Sequence, residues 1–329
     1  MISKLIKKLP TFFIFLFLLS IIVFWLARLA PGDPLMAYYG ETAERMNEPQ
    51  RILAMERLSL NKPAHIQYLT WLGNALSGDF GLSHQYKQDV LVIIKKMLPN
   101  TFLLGGISYI LTFSSAILLG IFCAFNEGSA VDKAIYRIGM ATSVIPSFFI
   151  SLIAILVFSI NLKIFPTSGA YSLNGGGPAD RLYHLALPAM VMAFSHLWYY
   201  AYIIRNRMIE ELQKDYVLLL RVKRLSNARI LFCHCLRNAL PMLITIMSLS
   251  IPHIIMGTYV IETVFNYPGI GSLIFESARF KDFNMLSILT LMTGLITISS
   301  NTIGQALSEL LDPRMRHAAI VKGVGNESR

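Results

Sequence analysis

Cys233, His234 and Cys235 set three metal-binding residue types in a row. Neighbouring positions on a helix point about 100° apart, so such a row does not close on one ion. A structural zinc also takes four ligands, and ordinary packing is the expected role. His196 and His253 lie within long apolar stretches. Ionisable residues at membrane depth either line a path or are satisfied by protein. On a path they would meet a polar solute. In a structural role His253 would answer a backbone carbonyl freed by the preceding Pro252, which has no N–H. Neither belongs to a His-Glu-x-x-His motif, and no catalytic residue is assigned. Thr293, Thr297, Ser300 or Asn301, and Gly304 recur at helical spacing on one face. A stripe of this kind packs against a helix or lines a polar path. The glycine run Asn174–Pro178 lacks the Lys-Ser/Thr that follows a phosphate loop, and no such loop occurs elsewhere. The chain is therefore expected to bind no ATP in that manner.

The elements that hold these residues are membrane spans. The chain has 329 residues, 54% hydrophobic and only 15% charged, where soluble domains carry about 25% charge. Three cysteines make no disulfide framework. Six stretches are long and apolar enough to cross a bilayer: 9–29, 101–125, 135–162, 185–204, 239–260 and 286–311. Lipid offers the backbone no partner, so all six are expected to be helices. The first is longer than a signal-peptide core and lacks a clean cleavage site, so it reads as an uncleaved span. With the N-terminus inside, the inner segments hold 17 Lys and Arg, against 4 in the two short outer segments. That bias places both termini in the cytoplasm. The net charge of +10 is then mainly a topology signal and implies no nucleic acid.

The expected organisation is a cytoplasmic N-terminus (1–8), span one (9–29), an extracytoplasmic segment (30–99), a core of five spans (100–311) and a cytoplasmic tail (312–329). In the outer segment, apolar residues at helical spacing around Ile66–Leu76 and Val90–Met97 predict two short amphipathic helices. Gly78-Asp79-Phe80-Gly81 reads as a turn between them. The inner loop 205–238 is longer than a reconnection needs. It reads as a continuation of span four, a helix with Leu219, Val222 and Leu225 on one stripe and Arg221 and Arg224 on another face, then a turn. Ser226 would cap a second helix over 227–236. By its residues alone, this hairpin is either an interfacial element among anionic headgroups or a partner-docking site.

Six motifs in order carry a resemblance: "LARLAPGDP" (26–34), "QYLTWLGNALSGDFGLS" (67–83), "IPSFF" (145–149), "DYVLLLRVKRLSNARILFCHCLRNALP" (215–241), "ETVFNYPGIGSL" (262–273) and "LLDPRMR" (310–316). Over nearly its whole length the chain resembles permease subunits of ATP-binding-cassette importers, in the dipeptide, oligopeptide and nickel branch. The resemblance implies an all-α integral membrane protein of six transmembrane helices, like a type I importer permease. It implies a second, similar permease subunit, two cytoplasmic ATPase subunits that use the ATP and magnesium, and an extracytoplasmic substrate-binding protein. In such a permease the inner loop docks on the ATPase, here through Asp215, Tyr216, Arg221, Lys223, Arg224, Leu225, Ser226, Asn227, Ala228 and Arg229. Glu262, Pro268, Gly269 and Gly271 would shape the outer loop, with Glu262 either solvated or tied to a neighbouring helix. Small peptides are the first expectation for cargo, nickel or a metal chelate the second. An ion-gradient transporter would show inverted repeats with broken midplane helices, and no clear repeat is seen. The pattern departs from the family at one place. Leu218, Leu219 and Leu220 stand where it has small residues, and Arg224 stands where it has the glycine of the turn.

Overall fold

The computed structural model describes residues 2–29, 35–57, 60–83, 85–172 and 175–311. The motif at 30–34, Asn174 and the tail 312–329 lie outside these. Among the described residues the chain is helical, apart from one isolated antiparallel bridge between Leu82 and Asp89. The helices are α1 (Ile2–Leu29), α2 (Met36–Tyr39), α3 (Glu48–Arg57), α4 (Ala64–Leu76), α5 (Val90–Phe125), α6 (Ala130–Ser143), α7 (Ser147–Ala154), α8 (Pro178–Leu212), α9 (Asp215–Val222), α10 (Asn227–Arg229), α11 (Leu236–Val264), α12 (Ile270–Arg279) and α13 (Phe283–Leu311). Stretches of π-helix continue α7 over Ile155–Asn161 and join α10 to α11 over Ile230–Cys235.

Among the described residues four helices are long and apolar enough to cross a membrane, those over Val90–Phe125, Pro178–Leu212, Asn227–Val264 and Phe283–Ser308. The bent pair α6 and α7 makes a fifth if counted as one span. Helix α1 carries a further apolar run, Pro10–Leu26. Its Phe13, Ile14, Phe15 and Leu18 are exposed, as are Ile110, Leu118 and Phe122 of α5. An outward apolar surface of this kind suits lipid, which needs no polar cover.

Three expectations are corrected. The stretch 135–162 is not one helix: α6 and α7 meet at 101°. Pro146 disfavours helical geometry at Ile145 and has no N–H to continue α6, while its own carbonyl accepts from Phe149 N at 2.9 Å to start α7. The amphipathic stretch from Val90 is not a separate short helix either. It runs straight into span two through Pro99. Third, the helix predicted over 227–236 does not stand alone, because Asn227–Val264 runs on unbroken into span five.

Two compact units divide the chain. The first holds Leu103–Tyr267 with both terminal stretches, and its core includes Leu104, Phe113, Tyr200, Ile204, Met208, Leu243 and Phe265. Within it α5 and α8 approach closely at Gly120, where a Cβ would meet Ala201 O at 2.9 Å. Helices α11 and α13 do the same at Gly304, where a Cβ would sit 2.1 Å from that of Ser248. The second unit holds Lys8–Phe102 and Pro268–Ile298, with Val90, Ile93, Ile94, Leu273, Met285 and Leu289 in its core. There α4 lies on α1. Ser20 Oγ and Tyr68 OH are 2.8 Å apart, and Phe24 packs on Tyr68 and Trp71. The Gly78–Gly81 turn that follows α4 has both glycines in the left-handed region, at φ of 85° and 75°.

Candidate functional site

The loop between α8 and α11 is built around one buried carboxylate. Glu211, in the last turn of α8, is fully buried. It accepts from Lys214, from Arg207 Nη2 at 2.9 Å and from Tyr216 OH at 3.0 Å. An unpaired charge here would cost several kcal/mol, so these partners decide that the site can exist. Tyr216 OH also stands 3.6 Å from Cys235 Sγ in the π segment. Burial, helped by the bonds to Cys235 and Glu211, raises the Tyr216 pKa above its usual value, so the hydroxyl keeps its proton and donates. One tyrosine of α9 thus fastens the end of α8 to the start of α11. Glu211 was missed by the sequence reading, because a Glu three residues before a Lys has the pattern of an exposed helix pair.

Helix α9 turns only part of its apolar surface inward. Val217 is buried, and Leu220 and Leu225 pack against the core. Leu218, Leu219 and Val222 are 64%, 63% and 73% exposed. The stripe expected over Leu219, Val222 and Leu225 is thus divided between the core and the surface. Arg221, Lys223, Arg224, Asn227, Ala228 and Arg229 are exposed around that face. Arg224 adopts φ of 57°, the left-handed conformation that favours glycine. Its N–H donates to Arg221 O at 2.9 Å and Leu225 N donates to Leu220 O at 3.2 Å. Those two bonds are a Schellman closure of α9 with Arg224 in the glycine position. The turn is kept, at a backbone cost of about 1–2 kcal/mol for a residue with a Cβ. Ser226 then caps the next helix, its Oγ accepting from Arg229 N at 3.4 Å.

A second joint lies beside this loop. Arg205 of α8 donates to Asp132 of α6 twice, from Nε at 2.6 Å and from Nη2 at 2.5 Å. Asp132 is 3% exposed. Ser129 caps α6 by accepting from Asp132 N at 3.1 Å, while the Asp132 carboxylate accepts from Gly128 N at 3.0 Å. The start of α6 is thereby clamped to α8 three residues beyond Tyr202.

The other candidates fall out as follows. Cys233 is exposed and Cys235 buried, so the Cys-His-Cys row diverges. Among the described residues no group of three or more His, Cys, Asp or Glu could hold a metal. His196 of α8 points its Nε2 at Gly257 of α11, where a Cβ would lie 3.2 Å away. His253 is exposed one helical turn before Gly257, so both histidines reach the same stretch of α11. The hydroxyls of Thr293 and Thr297 donate to carbonyls of their own helix, at 2.9 and 2.8 Å. Asn301 Oδ1 is buried without a donor. Glu262 is buried at the end of α11 and does not face solvent. In the second unit Gly269 precedes α12 and Gly271 is buried in its first turn. Pro268 O accepts from Asn100 Nδ2 at 2.8 Å, and Ile270 N donates to Thr101 Oγ1 at 2.7 Å.

Comparison with known proteins follows this geometry. Residues 116–317 match the family described as binding-protein-dependent transport system inner membrane component, and residues 1–105 match its N-terminal companion. The chain is 36% identical over 301 residues to the oligopeptide transport system permease protein AppB of Bacillus subtilis, covering 91% of this chain and 94% of that one. It is 33% identical to the oligopeptide permease OppB of Haemophilus influenzae, covering 96% and 98%. It is 30% identical to the metal-staphylopine import system permease protein CntB of Staphylococcus aureus, covering 97% and 100%. Among solved structures, a chain of the MetNI methionine ABC transporter in inward-facing conformations superposes with a TM-score of 0.52 at 14% identity, covering 66% of this chain and 96% of that one, a likeness of fold. The protein belongs to the inner-membrane components of binding-protein-dependent transport systems, in the peptide and nickel branch of ABC importer permeases.

Proposed function

We propose that this chain is one of two permease subunits of an ATP-driven importer of small peptides, with α9 and the Arg224 turn as the element that receives force from a cytoplasmic ATPase. The six spans are α1, α5, the bent pair α6 and α7, α8, α11 and α13, with both termini in the cytoplasm. A second, similar permease would complete the path, two ATPase subunits would hold the nucleotide and magnesium, and an extracytoplasmic binding protein would deliver cargo.

The observation that carries this reading is the apolar face of Leu218, Leu219 and Val222, exposed on a helix whose first turn Tyr216 ties to both Glu211 and Cys235. Exposed apolar residues rimmed by cations suit a protein interface. A lever also needs stiffness, which the Glu211–Tyr216–Cys235 joint supplies. Closure of the ATPases would move α9, and through α8 and α11 would turn the path outward in alternating access. Replacing Leu218, Leu219 and Val222 together by Ser should abolish ATPase association and peptide uptake while membrane insertion stays normal. Unchanged uptake by that variant would end the proposal.

A metal chelate is the second reading, favoured by the likeness to CntB, whose name records metal-staphylopine import. Competition of uptake by dipeptides against a metal–chelator complex separates the two.

A further inference from the structure

A cavity of about 510 Å³ lies within the second unit, walled by parts of residues 36–45, 85–87 and 279–281. Its size is that of a small-ligand cleft, roughly 300–1,000 Å³. Three separate stretches of chain bring cations to its wall: Arg45, Lys87, Arg279 and Lys281. Among the described lining residues the carboxylate is Glu41, and that of Asp282 stands behind the wall, accepting from Gln85 N at 3.5 Å. Cations on an ordinary surface spread apart, and here the backbone holds them together. Lys87 and Lys281 both occupy the left-handed region, at φ of 53° and 57°. Non-glycine residues avoid that region, and strain of this kind gathers at ligand clamps. The two lysine turns are also tied to each other. Lys87 N donates to Ser83 O at 2.8 Å, and the Ser83 hydroxyl donates to Asp282, the residue after Lys281. Asp282 N closes its own turn on Ser277 O at 2.8 Å. Beside the cations, Gln85 Oε1 is buried with no donor among the described residues. A buried acceptor normally finds one.

We propose that this pocket binds a carboxylate-bearing peptide segment. The carboxylate sits among Arg45, Lys87 and Arg279, and an amide N–H of the segment donates to Gln85 Oε1. Cations beside a lone acceptor ask for a ligand with both an anion and a donor, which a peptide terminus or a short acidic loop supplies. A lipid headgroup is a poorer fit. Lys95 and Lys96 of α5 stand closer to the apolar part of that helix, and Val90 lies about 9 Å further out along it, with Lys87 beyond. The inference rests on the proposed function only in placing this unit on the outer face. There the carboxylate comes either from free peptide cargo or from a loop of the delivering protein.

The test uses the purified full chain in phosphatidylcholine nanodiscs and the probe N-acetyl-triglutamate, with N-acetyl-trialanine amide, glutarate and inorganic phosphate as comparisons. Saturable binding of triglutamate is expected, weakened tenfold or more in an Arg45→Gln/Arg279→Gln variant and several-fold in Gln85→Met. Glutarate, which has no amide, should be indifferent to Gln85→Met. Lys87→Gln carries the same test should the double variant fold poorly. Absent binding, binding indifferent to these changes, or phosphate bound as tightly as the peptide would each overturn the proposal. In the assembled transporter, variants that slow uptake of acidic peptides alone identify free cargo as the source. Variants that raise the concentration of delivering protein needed for every cargo identify its loop, and no change of either kind overturns the site. The nanodisc arm involves no ATPase, so its failure and a failure of the importer reading are separately visible.

Discussion

At Arg224 a single side chain carries two opposed demands. The Schellman closure of α9 needs φ near 57°, which glycine adopts without penalty and arginine does not. Keeping an arginine there, about 1–2 kcal/mol above glycine, makes sense if the guanidinium is gripped by a partner. Arg224→Gly is therefore expected to raise the thermal midpoint of the purified chain by a few degrees and yet to lower ATPase association and uptake. Arg224→Ala keeps the strain and should lower uptake without the gain in stability. Full uptake by the Ala variant would show that the side chain grips nothing. The tight turn before the Ser226 cap was legible in the sequence, and the family resemblance put a glycine position at 224, but only the structure shows that Arg224 keeps the left-handed conformation, at φ of 57°. The joint through Glu211 was not legible, because nothing in its local pattern distinguishes a buried carboxylate from a solvated one.

Between elements, the pairing that decides stiffness is Asp132 with Arg205. It joins α6 to α8 across 73 residues of sequence, and no local signal marks it. Burial of Asp132 makes this more than a surface ion pair. Asp132→Asn leaves the guanidinium without its counter-charge and should destabilise the chain by about 3 kcal/mol. That is the low end for a broken buried pair, since Arg205 keeps some access to water. A double-mutant cycle with Arg205→Gln should show the two losses to be far from additive, and additive losses would mean the side chains act separately. Element boundaries failed in the sequence reading for a related reason. Pro99 and Pro146 look alike as breaks in apolar runs. The helix passes through Pro99 and turns by 101° at Pro146. Hydropathy reports that a stretch is greasy, and the packing partners decide whether a proline bends it.

For the molecule as a whole, the proposed orientation in the membrane rests on 17 Lys and Arg in the inner segments against 4 in the two short outer ones, and the cysteines provide a probe of it. Cys123 and Cys235 are buried, and Cys233, in the π segment that leads into α11, is exposed. A membrane-impermeant maleimide should label Cys233 in inverted vesicles and leave it untouched in intact cells. Added ATPase subunits should then shield it, because α9 and the start of α11 would lie under the docked partner. A Leu76→Cys variant, at a position 81% exposed and outside the cell in the proposed topology, should show the reverse accessibility. Labelling of Cys233 from outside would invert the topology and remove α9 from any ATPase. Labelling from neither side would place 227–235 in lipid, where a helix braced by a buried Glu211 could not serve as a lever.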